Sequence, residues 1–435
     1  MVKHNLPKNW EVKTLGECLT YEQPTKYIVK NTQYSDEYEI PVLTAGKSFL
    51  LGYTNDTENI FTQTPVIIFD DFTTDSKFVD FHFKVKSSAM KILHATKIAN
   101  IKFVFYFMQT IQYRSDTHKR YWISEYAKLP IPLPPLEVQK AIVEKLESAF
   151  AHIDEAVRHL KAVQTNIPRL KSSLLHSAFS GKLTESQNQS NEVQTLKSIV
   201  GVEGEFEREE GATSRSFRKK LAQTCTFKPL HPLIKAEIPQ GWEIKTLGEV
   251  CEIVTGSTPS KDNAEYYGDD FPFYKPTDLN NGYYVEAASD NVSPKGFEIS
   301  RQLPSGSVLV TCIGATIGKT GLIRKKGICN QQINAILPSQ KFISEFIYFY
   351  CISPKVQNFI KTNASSTTLP ILNKANFSKL PIPLPPLATQ NQIVQILESK
   401  FAHLEKLEQF VNASLENLQR LKSSLLNQAF KGELV

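Results

Sequence analysis

The stretch CIGATIGKTG, residues 312–321, has the residue types of a loop that cradles phosphate. Such a loop wraps a triphosphate with its backbone N–H groups when four residues separate the first glycine from Gly-Lys-Ser/Thr. Only three separate Gly314 from Gly318, Lys319 and Thr320, and Ile313 stands where glycine is required. One residue short, the loop cannot wrap a triphosphate in the usual way, and no acidic strand end downstream suits Mg2+. The preceding GSVLVTC is strand-like, so the stretch reads as a tight turn between strands. Lys319 and Thr320 then meet a DNA phosphate or water.

Other chemistries find less support. Methyl transfer needs a glycine-rich loop for the methyl donor and a short Asn/Asp-Pro-Pro-Tyr/Phe site, but the Pro-Pro pairs here are followed by Leu. No Ser-His-Asp or Cys-His arrangement stands out. The nine histidines show no ligand spacing, so no metal site is expected. Asp70, Asp71 and Asp75 suit a metal on paper and are read as turn residues, with contact to cytosine as the minority reading. Six scattered cysteines without a C-x-x-C pair read as free thiols in a reducing compartment. Lacking a catalytic constellation, the chain is read as a binding or adaptor protein.

The elements that position these residues come in duplicate. LPIPLPPL occurs at Leu129–Leu136 and again at Leu380–Leu387. LPKNWEVKTLGEC from Leu6 matches IPQGWEIKTLGEV from Ile238, and NIPRLKSSLLHSAFSGKL matches NLQRLKSSLLNQAFKGEL. Residues 20–120 and 255–370 share no visible similarity apart from their edges. The pattern is one frame around two unlike inserts, too few units for a solenoid.

After each octapeptide the apolar positions alternate by four and three. They run Ile142, Leu146, Ala149, Ile153 in the first copy and Ile393, Leu397, Leu404, Leu407 in the second, with Lys400 and Ser414 as polar exceptions. This is the seam of a coiled coil. The Pro-Pro pair ends the globular part and opens the helix at no hydrogen-bonding cost. Gly181 and Gly432 stop helices of about 44 residues, roughly 66 Å at 1.5 Å per residue. Two matched seams in one chain favour internal antiparallel pairing over a dimer, with the globular parts at opposite ends and a pseudo-twofold between them. An SH3-type proline ligand is the weaker reading of the octapeptide. The polar stretch between the halves reads as a linker.

With 435 residues, 41% apolar and 22% charged, the chain has room for two or three domains. It has no apolar run of 18 residues, hence no expected membrane span. The start lacks the apolar core of a signal peptide, so a cytoplasmic location is expected. Net charge is +6, but residues 1–130 hold 16 basic and 14 acidic side chains and residues 238–380 hold 14 and 12. Nucleic-acid binding therefore requires the basic residues to be gathered on one face.

The paired W-E-x-K-T-L-G-E segments at Trp10 and Trp242, the two octapeptides, and the repeated L-E-S-x-F-A-H and R-L-K-S-S-L-L helices together resemble the specificity subunit of Type I restriction–modification enzymes. IPVLTAGKSFLLGYT and VIIFDDFTTDSKFVDF resemble one class of target-recognition domain; GSTPS, FPFYKPTDL, VLVTCIGATIGKTG and CNQQINAILP resemble another. The resemblance implies an α+β chain with two globular α/β target-recognition domains, separated by an antiparallel coiled coil of two long helices. The expected boundaries are 1–131 for the first domain, 132–180 for its spacer helix, 181–237 for the linker, 238–382 for the second domain and 383–432 for the second spacer helix. It also implies double-stranded DNA as ligand, with each domain reading half of a split, asymmetric target and no catalysis in this chain. Two methyltransferase subunits using S-adenosylmethionine on adenine N6, and ATP- and Mg-dependent restriction subunits, are the implied partners. Base flipping would fall to the methyltransferases, and half-sites on one face of the duplex would lie ~34 Å apart.

Bases are read by Arg, Lys, Asn, Gln, Ser and Thr, and phosphates by Lys, Arg and hydroxyls. The first domain offers Arg114, Ser115, His118, Lys119, Arg120 and Tyr121 in a polar loop after FVFYFMQTI, with Lys47, Tyr53 and Lys77 as weaker candidates. The second offers Ser365, Ser366, Thr367 and Thr368 in the corresponding loop. Lys275, Thr277, Asp278, Lys319, Thr320 and Asn330 add to them. Ordinary solvated loops are the competing reading. The other functional alternatives are a phosphate-loop NTPase with a coiled-coil arm, separable by a nucleotide-binding assay, and a scaffold that no longer reads DNA.

Overall fold

A computed structural model describes residues 6–44, 48–111, 120–185, 239–280, 282–365 and 369–435. It divides into two compact units, one of residues 1–163 and 410–435 and the other of residues 164–409. The division falls inside both long helices.

The first unit opens with β1 (Glu11–Thr14), α1 (Leu15–Cys18) and β2 (Leu19–Glu22). A capping box starts α1: the Glu17 amide donates to Thr14 Oγ1 at 3.3 Å, and the Thr14 amide donates to Glu17 Oε2 at 2.7 Å. The hydrogen bonds donated by the Thr14 amide and hydroxyl hold the Glu17 carboxyl below its ordinary range. The insert carries β3 (Ile40–Leu43), β4 (Leu50–Thr54), β5 (Val66–Asp70), β6 (Ser76–Val79), β7 (Lys84–Val85), β8 (Met90–Ala95), α2 (Ile101–Met108) and α3 (Tyr121–Ser124). Its sheets have the orders β2-β8-β5-β6 and β4-β3-β7. The run VIIFD is buried throughout because β5 lies between two cores. Ile67 and Phe69 join the cluster around Phe103 and Trp122, while Val66 and Ile68 join the one around Phe61 and Phe83.

The octapeptide does more than end the globular part and open the helix. Its residues Pro130–Leu133 form a strand, β9, paired antiparallel with β1: Glu11 opposite Leu133, Val12 opposite Pro132, Lys13 opposite Ile131, Thr14 opposite Pro130. The Leu15 amide donates to the Leu129 carbonyl at 3.0 Å. By parity, Ile131 and Leu133 fall on hydrogen-bonded positions and the prolines on the others, where a missing N–H costs the ladder nothing. Helix α4 (Leu136–Phe179) then opens directly after Pro134 and Pro135 and continues through Pro168.

The second unit contains the end of α4 and α5 (Lys182–Glu185), then β10 (Glu243–Thr246) and α6 (Leu247–Val250). Its insert holds β11 (Ile253–Thr255), β12 (Tyr267–Tyr274), β13 (Tyr284–Val285), β14 (Asp290–Val292), α7 (Pro294–Glu298), β15 (Val308–Thr311), β16 (Thr320–Ile323), β17 (Ile328–Cys329) and β18 (Ile333–Ile336). Three helices follow, α8 (Ser344–Ile352), α9 (Pro354–Thr362) and α10 (Lys374–Ser378), before β19 (Pro381–Leu384) and α11 (Leu387–Lys431). The sheet orders are β11-β18-β15-β16-β13 and β14-β12-β17. β10 pairs with β19 in the register of the first frame, Glu243 opposite Leu384 through Thr246 opposite Pro381.

Within each unit the two long-helix segments run antiparallel. In the first unit Lys422 Nζ donates to Asp154 Oδ1 at 3.0 Å and Lys145 Nζ to the Leu434 carbonyl at 2.9 Å. Phe430 sits edge-on to Phe103 and Phe107, each 5.2 Å between centroids. In the second unit Lys171 meets Glu408 at 3.4 Å, and Phe179 packs against Phe346 and Tyr350. Seam residues Ile142, Leu146, Ile153, Ile167, Ile393 and Leu397 are buried, whereas Leu407, expected in the same seam, is 37% exposed. Each helix ends at a left-handed glycine, Gly181 (φ 80°) and Gly432 (φ 78°). A Cβ there would overlap Pro239 in one case and Pro7 in the other, so only glycine fits.

A buried glutamine at the start of each long helix ties it to the adjoining head. Gln139 Oε1 accepts from the Asn100 amide at 2.7 Å, and its Nε2 donates to the carbonyls of Pro134 (2.8 Å) and Ile98 (3.0 Å). Gln390 Oε1 accepts from the Ile343 amide at 2.9 Å, and its Nε2 donates to the Pro385 (2.9 Å) and Lys341 (3.3 Å) carbonyls. Asn100 and Ile343 are the N-cap residues of α2 and α8. Both glutamines are fully buried with all these groups satisfied.

Candidate nucleic-acid interface

In the first unit the β5–β6 hairpin organises the site. Asp70 Oδ1 accepts from the Phe72 and Thr73 amides at 2.8 and 3.1 Å, which shapes the turn. Asp71 does something different. It is buried beside Lys91 at 3.5 Å, its Oδ1 accepts from the Trp122 amide at 2.9 Å, and its carbonyl accepts from the Tyr121 amide. At the other end of the candidate loop, Gln109 Nε2 donates to Ser76 Oγ at 2.9 Å. Both anchors of the loop therefore lie on one hairpin, which also presents the exposed Lys77 and the partly exposed Phe72. Asp75 is an exposed turn residue, and among the described residues no three His, Cys, Asp or Glu side chains converge as metal ligands.

Arg120 is exposed at the N-terminus of α3. Tyr121 is corrected: it is 2% exposed and belongs to the core, so its side chain offers no base contact. Tyr53 is half-buried on β4, opposite Pro41 in the other sheet. Lys47, Arg114, Ser115, His118 and Lys119 lie outside the described residues.

In the second unit, loops distant in sequence meet. The look-alike stretch is a turn between the antiparallel strands β15 and β16, with Gly314 and Gly318 at positive φ. The Gly314 amide donates to the Pro370 carbonyl at 2.9 Å and the Leu372 amide to the Cys312 carbonyl at 2.8 Å, and the Ser365 amide donates to the Ile371 carbonyl at 2.9 Å, which joins this turn to Ser365 and to residues 370–372. The Cys312 amide in turn donates to the Gln332 carbonyl at 2.8 Å. Asn330 Nδ2 donates to Gln332 Oε1 at 2.9 Å, Thr258 Oγ1 to Gln331 Oε1 at 2.6 Å, and the Asn330 amide to the Tyr274 carbonyl beside Lys275. Asn330, Lys319, Lys275 and the exposed Ser365 thus share one connected set of loops.

Several candidates are spoken for. Asp278 is 1% exposed and accepts from the Lys275 amide (2.7 Å), the Ser289 amide (3.0 Å) and Ser289 Oγ (2.6 Å), so it shapes a turn and is corrected as a base reader. Thr320 is buried, its hydroxyl donating to the Gly318 carbonyl at 3.0 Å, which removes it from the surface. Lys275 Nζ is paired with Asp290. Thr277 is exposed. Lys319 is half-buried, without an ionic partner among the described residues. Ser366, Thr367 and Thr368 lie outside them.

Thr258, Gln331 and Gln332 were not singled out from sequence, although the amide run Asn330–Gln332 was visible there and amides match adenine edges. The basic run Arg324, Lys325 and Lys326 is exposed as well. Burial pushes the Cys312 and Cys329 thiols up to about 12, which keeps them protonated and un-nucleophilic.

The model of the Type I restriction modification DNA specificity domain family matches residues 7–163 and 239–417. The chain is 30% identical over 421 residues to the EcoR124I/EcoR124II specificity subunit of Escherichia coli, spanning 93% of this chain and 88% of that protein. It is 27% identical to the HindI specificity subunit of Haemophilus influenzae, spanning 76% and 74%. Its fold resembles a chain solved in a study of complex assembly and conformational transition of the type I R-M system, with TM-score 0.65, 19% identity and coverage of 99% and 100%. It also resembles the HsdS subunit of Thermoanaerobacter tengcongensis, with TM-score 0.54, 19% identity and 99% of both chains covered.

Proposed function

The chain belongs to the family of Type I restriction–modification DNA specificity subunits, and on that premise we propose that it reads a split, asymmetric double-stranded DNA target with two unlike heads. The observation that carries the proposal is the pairing of two frames in the same register around sheets of different strand order. Two different heads imply two different half-sites. In the first, Lys77 and Arg120 are the exposed cations around the β5–β6 hairpin. In the second, Asn330, Gln331, Lys319 and Ser365 supply donors and acceptors from adjoining loops, with Lys325 available to a phosphate.

The chain itself has no catalytic role on this reading. Two methyltransferase subunits dock on the long helices, where Phe410 is 66% and Leu421 46% exposed. Those subunits bring S-adenosylmethionine and modify adenine N6; restriction subunits bring ATP and Mg chemistry. The complex works in the cytoplasm. No helix among the described residues is long and apolar enough to cross a membrane.

The test is to exchange residues 20–120 for the first insert of another family member and sequence N6-methyladenine in cells that also express the partner subunits. One half of the methylated motif should change and the other should persist. A change in both halves, or in neither, refutes the assignment of one head to each half-site.

A further inference from the structure

We propose that a cleft in the second unit, beside α11, receives an arginine side chain from a docking methyltransferase subunit. This rests on the reading above that such a subunit docks here. The cleft has a volume of about 530 Å3. Its aromatic wall is built on Tyr283, which stacks on Tyr284 at 4.1 Å and lies 4.5 Å from Tyr348 and 5.1 Å from Phe349. Phe401 lines it from the helix. Glu398, Ala402 and Glu405 also line it, spaced i, i+4, i+7 and therefore on one face of α11.

The polar groups of this cleft are incompletely used. Glu398 Oε1 accepts the Tyr283 and Tyr284 hydroxyls at 3.1 and 3.2 Å, while Oε2 accepts nothing from the described residues. Tyr348 is only 8% exposed, and its hydroxyl has no hydrogen-bond partner among them. Neither Glu398 nor Glu405 has an ionic partner among them. Lys171, which also lines the cleft, is engaged by Glu408 at 3.4 Å.

These features select the occupant. Unneutralised carboxylates repel DNA phosphate, so this face is unsuited to the duplex backbone. Aromatic faces attract cations. A guanidinium is flat, weakly hydrated and able to donate in parallel to a carboxylate, so it suits rings beside Glu398 better than an ammonium does. The chain already uses that chemistry: the Arg324 guanidinium lies 3.5 Å from the Tyr284 ring centroid.

The test titrates the cognate methyltransferase subunit into the full chain by calorimetry, alongside duplex DNA titrated into the chain alone. Glu398→Gln retains a carbonyl acceptor for the two phenols. It should weaken methyltransferase docking by about 10-fold and leave DNA affinity unchanged. Glu405→Gln, at an exposed position that tolerates substitution, should weaken docking about 3-fold. Wild-type docking affinity in both variants overturns the arginine site. DNA affinity altered with docking unchanged assigns the cleft to DNA and overturns it too. Failure of the wild-type chain to bind the methyltransferase subunit refutes the functional reading itself.

Discussion

The ribbon joining Glu11–Thr14 to Pro130–Leu133 and the one joining Glu243–Thr246 to Pro381–Leu384 share register, capping box and a buried glutamine. The sheets they enclose differ in strand number, in strand order and in how charge is buried. The first head places whole lysines inside: Lys84 against Asp56 at 2.8 Å, and Lys91 against Asp71, each lysine 1% exposed. The second surrounds its buried Asp278 with backbone and hydroxyl donors. The parts that hold a head on its helix are thus constrained at the level of single hydrogen bonds. The heads themselves need only end in the same ribbon.

The largest expected effect tests the contrast in buried charge. Asp71→Asn leaves Lys91 uncompensated in the core and should cost the first head about 3–5 kcal/mol. Asp278→Asn loses acceptor strength but strands no cation and should cost the second about 1–3 kcal/mol. Hydrogen exchange at the β5 and β14 amides reads each head separately, and equal costs would break the comparison. The glutamines test the sameness of the frames. Gln139→Leu and Gln390→Leu each orphan a buried amide and two carbonyls, for about 2–3 kcal/mol, with exchange in α2 and α8 accelerated alike; unequal losses would mean that the joints differ. The smallest effect lies in the capping boxes. Thr14→Ala and Thr246→Ala should each cost about 1 kcal/mol. Hydrogen bonds from Thr14 and Thr246 depress the Glu17 and Glu249 carboxyls below their ordinary value of 4.5. Their contribution is therefore complete above that pH and fades as pH falls through the lower folded values; the alanine variants keep the amide hydrogen bond and lose only the hydroxyl's, so the same fading should be smaller in them. An acid titration of exchange at α1 and α6 checks this.

What could be read in advance follows from range. The helix seams, the glycine stops and the frame are local or repeated patterns, so they were legible. The prolines of the octapeptide suggest only a break between globular part and helix; their spacing of two, which lets them sit between ladder positions, also permits a strand. The turn reading fits Asp70, whereas Asp71 became the carboxylate of a buried ion pair because Lys91 and the Trp122 amide come to it from distant sequence. The second candidate surface joins residues 258, 275, 314, 330–332, 365 and 370–372 through tertiary contacts, and no window of the chain contains it. Burial removed Tyr121, Asp278 and Thr320, whose polar atoms look like contact groups until the core is assembled around them.

Alternating prolines in β9 and β19 bear on how copies of this chain behave toward each other. The outer edge of β9 and of β19, facing away from β1 and β10, has carbonyls at the proline positions but no amide hydrogens there, and the Tyr350 hydroxyl engages the Pro381 carbonyl. A strand from a second copy would find acceptors without matching donors and could not zip on. A duplicated segment is an obvious template for illicit pairing between molecules, and its own prolines make it a poor one.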